Sequence, residues 1–189
     1  MLKPLIFAIA FMSTNVFAAW QLDNQNSDLS FTSIKKTHIA ENHHFKKLHG
    51  QIDAQGQLQL EIDLSSVESM IPIRNQRMQS MLFNVTNFPS GKISANVSDQ
   101  LSSLKNGTQI IKGVNASLEL HGHKQNIRMD LVVNKHNTQL HIAPLRAILI
   151  NSTSYGLTSG IEALRKIAGL DTIATTVPVT FSLTFNEKP

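Results

Sequence analysis

Apolar and polar side chains alternate one by one over long parts of the chain. Leu58, Leu60, Ile62 and Leu64 interleave with Gln57, Gln59, Glu61 and Asp63. Ile93, Ala95 and Val97 alternate with Ser94, Asn96 and Ser98, and the rows Ala116, Leu118, Leu120 and Ile127, Met129, Leu131, Val133 repeat the pattern. Near the end, Val177, Val179, Phe181, Leu183 and Phe185 interleave with Pro178, Thr180, Ser182 and Thr184. Successive side chains of a strand point to opposite faces, so a period of two predicts strands with one dry and one wet face. Turn residues separate the rows: Asp53-Ala54-Gln55-Gly56 in hairpin fashion, Asn106-Gly107 as a tight-turn dipeptide, and His121-Gly122-His123 between two long rows. Short sequential connections predict a mostly antiparallel meander, and the lack of alternating βα units excludes a doubly wound sheet. The apolar face must be covered, and the alternation alone serves a closed barrel and a two-sheet sandwich equally.

Two segments leave this pattern. In "IPIRNQRMQSMLFNVTNFP" (Ile71 to Pro89), Met70, Arg74, Met78 and Ile73, Arg77, Met81 fall at helical spacing, and Pro72 suits a first turn. A short helix is expected near 74–82. In "SGIEALRKIAGL" (Ser159 to Leu170), Ile161, Leu164, Ile167 and Ala168 share one face, Ser159 suits the cap and Gly169 the stop. A second short helix is expected near 160–168.

The N-terminus bears on compartment. Lys3 precedes an apolar run, Pro4 to Met12, which Ser13, Thr14 and Asn15 end too early to cross a bilayer. Val16-Phe17-Ala18 then suits a signal peptidase, so residues 1–18 are expected to be a signal peptide cut after Ala18. That leaves 19–189 as a single exported, periplasmic domain. The chain has no cysteine, so it stands on its core alone and uses neither a thiol nucleophile nor a cysteine-ligated metal. A net charge of +4 with scattered lysines and 6% aromatic residues lacks the basic groove and stacking platforms of a nucleic-acid binder. A modest attraction to anionic lipid surfaces is compatible with that charge.

Local enzyme motifs are absent: no G-x-S-x-G, H-E-x-x-H, G-x-G-x-x-G or phosphate-cradling Gly-Lys-Ser/Thr loop occurs. The sequence therefore reads as non-catalytic. Eight histidines are the main polar anomaly, with His38, His43, His44 and His49 close together and His121 and His123 at chelating spacing. No acidic third ligand stands nearby, so a histidine-based metal binder is an alternative, beside surface histidines of ordinary kind. Arg74 and Arg77 offer planar guanidinium groups to an anionic head group, although at least one of them is expected to be structural. Met70, Met78 and Met81 suit core filling, or an adaptable apolar surface that gates an open barrel end.

The block "SVESMIPIRNQRMQSMLFNVTNFPSGKISANV" resembles the signature of the YceI-like, polyisoprenoid-binding family. "WQLDNQNSDLSF" (Trp20 to Phe31) resembles its opening strand, and "YGLTSGIEALRKIAGLDTIATTVPVTFSLTF" (Tyr155 to Phe185) the closing segment of a secreted branch. The resemblance implies an all-β fold with short helices: an extended, lipocalin-like antiparallel β-barrel of about eight strands around an apolar tunnel. It implies a periplasmic carrier or sequestering protein for a long-chain isoprenoid, a quinone-like lipid or a similar amphiphile. Implied cavity-lining residues are Phe31, Leu60, Ile62, Met78, Met81, Leu82, Phe83, Val97, Leu118, Leu120, Phe181 and Leu183, with Arg74 and Arg77 for a head group. Arg74-Asn75 stands where many members have Arg-Asp, which predicts the loss of a structural carboxylate. A β domain with a filled core and no ligand is the main alternative, and a homodimer stays open. An outer-membrane barrel is disfavoured, because the chain has one Trp, one Tyr and a polar end, Asn186 to Pro189.

Overall fold

The computed structural model describes residues 18–188. The expected signal peptide, apart from Ala18, lies outside the described residues. In chain order come β1 (Ala18–Leu22), β2 (Asp28–Lys35), β3 (Ile39–Phe45), β4 (Leu48–Asp53), β5 (Gln57–Asp63), β6 (Val67–Glu68) and α1 (Pro72–Arg77). There follow β7 (Ser90–Asn96), α2 (Ser98–Ser103), β8 (Gly107–Leu120), β9 (His123–His136), β10 (Gln139–Pro144), β11 (Ile148–Asn151), α3 (Thr158–Ile167) and β12 (Thr176–Glu187).

Closure decides between barrel and sandwich. Strands β1, β4, β5, β7, β8, β9, β10 and β12 hydrogen-bond in that order, and β12 returns to β1. An eight-stranded antiparallel barrel results, which leaves that ring without a free edge. The long strand β12 makes this possible by serving two sheets. Its C-terminal half pairs Phe185 with both Leu22 of β1 and Leu140 of β10. Its N-terminal half pairs Val179 with Phe31 of β2 and Ile148 of β11. Through β2, β3 and β6 the wall then extends past the closed ring.

The alternating rows face as the period of two demands. Leu60, Ile62, Ala95, Val114, Ala116, Leu118, Met129, Val133, Leu183 and Phe185 are buried. Gln57, Gln59, Glu61, Lys92, Ser94, Asn96, Asn115 and Glu119 of the outer rows are exposed. A lipid-embedded barrel needs the reverse arrangement. One step in β8 is irregular: Ile111 and Val114 both face inward although they are three positions apart, which in a regular strand would place them on opposite faces. A bulge absorbs the mismatch. The register shifts between the two, Gly113 takes a left-handed φ of 69°, and its N–H donates to Asp130 Oδ1 at 2.8 Å. The β8–β9 hairpin turns on His121 (φ 52°) and Gly122 (φ 76°), both left-handed, as a tight two-residue hairpin requires.

The helices need some correction. The first begins at Pro72, ahead of the expected start. After Arg77 it continues to Leu82 as a π turn, in which the Phe83 N–H reaches the Met78 carbonyl at 2.9 Å. The second matches the expectation closely, as α3. Helix α2 was not expected: "SDQLSS" carries a single large apolar residue, yet Leu101 and the following Leu104 pack onto the core. Asn106-Gly107 accordingly leads from α2 into β8 instead of joining two strands. Met70 is not core at all; it is 83% exposed.

Candidate functional site

The barrel core is not filled throughout. A cavity of about 410 Å³ lies between the extended walls and the two helices α1 and α3. Its walls are carbon-rich, because the inward rows of β2, β3, β7, β8, β9 and β12 meet there. Phe31, Ile62, Met78, Leu82, Phe83, Leu118 and Leu120 line it. On β7 the inward position is Gly91, whose missing side chain leaves room between Ile62 and Leu120. Leu60, Val97 and Leu183 line a second space of about 80 Å³ at the opposite end, where Leu101 and Leu104 close the barrel. Ile93, Met129 and Phe181 border both spaces and form a waist between them. Of the expected lining residues only Met81 borders neither. It is half-buried, and its carbonyl faces α3, against Gly160.

Phe83 is held in place by aromatic packing. Its ring centroid lies 5.8 Å from that of Phe45 and 6.5 Å from that of Phe31, which are themselves 5.5 Å apart. Two strands and the π turn are thereby tied together at the cavity wall.

The cavity opens between α1 and α3. Ile71, Ile73 and Ile167 line it and are also 40, 51 and 49% exposed. Lys35, Arg74 and Arg77 bring cations to the same opening. The two arginines have different tasks. Arg74 grips Glu41 with both terminal nitrogens, Nη1–Oε2 at 2.8 Å and Nη2–Oε1 at 3.5 Å, and Lys35 pairs with the same carboxylate. Lys35 foremost, and then Arg74, hold the Glu41 carboxyl below its usual pKa against the cost of partial burial. Arg77 has no hydrogen bond or ion pair among the described residues. It stands half-buried at the wall with its charge uncommitted.

Asn75 has a structural task of its own. Its Oδ1 accepts the Ser69 N–H at 2.8 Å and the Ser69 hydroxyl at 2.6 Å, while its Nδ2 donates to Glu68 Oε1 at 2.8 Å. The same carboxylate accepts the Met70 N–H at 2.7 Å and pairs with Lys46. Lys46, then Asn75 and the Met70 amide, bring the Glu68 pKa down to about 2. A carboxylate is therefore still present at this corner, contributed by Glu68.

Alternation alone would have found the polar residues of the wall. In β2 the inward row runs Leu29, Phe31, Ser33, Lys35, and in β3 it includes His43 and Phe45. His43 is 3% exposed, and burial, aided by the Arg74 charge, pushes its pKa down to about 4. It is neutral at pH 7. Its Nδ1 has no hydrogen-bond partner among the described residues, and Nε2 lies 2.9 Å from Ser33 Oγ. A buried lone pair left unmatched costs less than a buried N–H, so the proton belongs on Nε2 and is donated to Ser33. The Ser33 hydroxyl proton is thereby free to donate elsewhere.

The histidines from 38 to 49 do not gather. His38 stands at the β2–β3 tip, His44 and His49 point outward, and only His43 faces in. His121 and His123 do converge: a Cβ placed on Gly156 would lie 2.7 Å from His123 Nε2 and 3.6 Å from His121 Nδ1. His121 also packs on Phe88, with centroids 4.4 Å apart. Among the described residues no group of three His, Asp or Glu side chains is placed to hold a metal ion. No helix among them is long and apolar enough to cross a membrane.

Comparison with known proteins agrees with this architecture. Residues 20–185 match the YceI-like domain family. A polyisoprenoid binding domain from Saccharophagus degradans, implicated in plant cell wall breakdown, is 36% identical; the match covers 91% of this chain and all of that one, with a TM-score of 0.87. Burkholderia cenocepacia BcnA shares the fold at 17% identity and a TM-score of 0.66, over 86% of this chain and 98% of its own. A Campylobacter jejuni YceI protein shares it at 13% identity and a TM-score of 0.59, over the whole of both chains. No curated protein matches the sequence.

Proposed function

The chain belongs to the YceI-like domain family, and from that premise we propose that it is a periplasmic carrier or sequestering protein for a long-chain isoprenoid or similar amphiphilic lipid. One observation carries the reading: an open apolar space of about 410 Å³ inside the barrel. A dry cavity walled by hydrocarbon holds water poorly and takes an apolar chain readily. At about 0.8 kcal/mol per buried methylene, ten to fifteen methylenes offer on the order of 8–12 kcal/mol before the costs of association. No nucleophile or metal is needed for that task, so the chain is read as a binding protein and not as an enzyme.

The polar groups suit a head group at the mouth. Arg77 is the uncommitted cation, while Arg74 already serves Glu41. The Ser33 hydroxyl, oriented by His43, donates to an acceptor oxygen such as a carbonyl or phosphate ester. The similarity to a polyisoprenoid binding domain favours a prenyl tail over a straight acyl chain. The signal-like start of the sequence is what favours export to the periplasm.

Native mass spectrometry of the protein purified from its own source tests the proposal. A mass excess that leaves on organic extraction, and that yields a prenyl-chain lipid, is expected. A protein found repeatedly at its bare mass, which also takes up no added prenyl lipid, would favour the filled-core domain.

A further inference from the structure

Seven large apolar side chains stand prominently exposed on the described surface, and they are not scattered evenly. They are Ile39, Met70, Ile71, Ile73, Ile110, Leu149 and Ile167. Ile71, Ile73 and Ile167 line the opening of the large cavity. Met70 directly precedes Ile71. Ile39 pairs with Lys35, another residue of the opening, at the tip of the β2–β3 hairpin. Five of the seven therefore rim one mouth. Isolated exposed apolar residues need no explanation, but a ring of them around an apolar cavity marks an interaction surface.

This exposure is built into the local structure. Met70 takes a left-handed backbone, φ 62°, which side-chain-bearing residues seldom adopt. Its N–H is fixed by Glu68 Oε1 at 2.7 Å, and Glu68 is itself fixed by Asn75 and Lys46. The corner thus holds a methionine 83% exposed. Helix α1 buries none of its residues. It lies over the opening, where Ile73 both borders the cavity and stands half exposed.

Charge completes the pattern. Lys35, Lys36, Arg74, Arg77, Arg165 and Lys166 stand around this rim, against Glu41, Glu162 and Asp171. Glu41 is taken up by Lys35 and Arg74, and Glu162 by Arg165. Lys36, Arg77 and Lys166 are left without an ion pair among the described residues. Apolar residues ringed by uncommitted cations match one kind of surface, a bilayer containing anionic lipid, into which the side chains dip while the cations meet phosphate. We propose that the protein docks mouth-down on such a bilayer, so that a chain passes between membrane and cavity without crossing water. Docking of this kind serves the carrier reading above, yet vesicle binding is read without any ligand, so the two fail separately.

Cosedimentation of the mature protein with vesicles of phosphatidylglycerol and phosphatidylethanolamine tests this, alongside the double variant Ile39→Ser/Met70→Ser, two rim residues outside the cavity lining, and Ile110→Ser as a control elsewhere on the barrel. Both variants are first shown to be folded and to take up a soluble prenyl probe like the wild type. Expected are wild-type binding that weakens with salt, binding reduced about tenfold in the double variant, and unchanged binding in Ile110→Ser. Charge reversal at Lys36 and Lys166 to Glu lowers binding to the anionic vesicles as well. No vesicle binding by the wild type, or equal binding by the double variant, overturns the proposal. So does a wild-type dimer in solution that the double variant abolishes, since the same face would then be covered by a second copy.

Discussion

Gly160 of α3 lies directly against the backbone of Leu82. A Cβ at position 160 would stand 2.8 Å from Leu82 Cα and 2.5 Å from the Met81 carbonyl oxygen. Both distances are shorter than real Cβ contacts, and both partners are backbone, so they yield only if the helices part. The close approach of α3 to the π turn is what sets the shape of the cavity roof, because Leu82, Ile161 and Leu164 all line it.

Gly160→Ala is therefore expected to destabilise the protein by about 1–3 kcal/mol, the usual range for overpacking. It should also loosen the roof. Denaturant unfolding checks the first effect, and faster release of a bound prenyl probe the second. An alanine variant as stable as the wild type would mean that α3 is free to slide.

The arginines should separate stability from binding. Arg74→Ala removes a bidentate grip on a half-buried carboxylate that Lys35 still partly serves, and should cost about 1 kcal/mol. Arg77→Ala has no partner to orphan, and its stability should stay within about 0.5 kcal/mol of the wild type. Its affinity for a prenyl phosphate probe should nevertheless fall about fivefold to tenfold, with a neutral prenyl alcohol unaffected. Titration of both probes into both variants makes the comparison.

Acid should weaken the fold in a window set by His43. The unfolded imidazole takes a proton near pH 6.5 and the folded one only near 4, because burial and the neighbouring Arg74 oppose the charge while Glu41 favours it. Between those values the unfolded state holds more protons. Stability is complete above pH 6.5 and declines as the pH drops toward 4, by up to about 3 kcal/mol. Glu41 and Glu68, whose pKa values are lowered from 4.5, contribute their losses only further down. In His43→Phe the decline between pH 6.5 and 4.5 should largely vanish, as thermal unfolding at a series of pH values would show. Ser33→Ala keeps that decline, because the imidazole stays buried.

Much of this architecture was legible in the residues. The rows from Leu58 to Leu64, from Ile93 to Val97 and from Val177 to Phe185 announce strands, because a half-buried strand imposes a period of two. The family signature pointed to a barrel, which alternation alone could not separate from a sandwich. Closure depends on β12 pairing with β1 and β2 on one side and β10 and β11 on the other, and such long-range pairing leaves no local pattern. Helix α2 escaped because six residues with one leucine carry almost no amphipathic signal. Met81 was expected to share the inward role of Met78, three residues earlier. The change from α to π winding at Met78 alters the angular spacing and turns the Met81 carbonyl toward Gly160. His43 was grouped with its neighbours in sequence, whereas the strand sends His43 into the wall and His44 away from it.

The most direct test uses Gly91. A Cβ there would lie 3.5 Å from Leu120 Cδ1 and 3.8 Å from Ile62 Cδ1, ordinary contacts, so a leucine can enter the cavity from β7 without displacing the strand. Delipidated wild type and Gly91→Leu are titrated with a fluorescent long-chain prenyl probe after both are shown to fold. Saturable uptake of about one chain per protein is expected for the wild type, and at least about tenfold weaker uptake for the filled variant. Equal uptake by the two proteins would place the ligand elsewhere and contradict binding in this cavity.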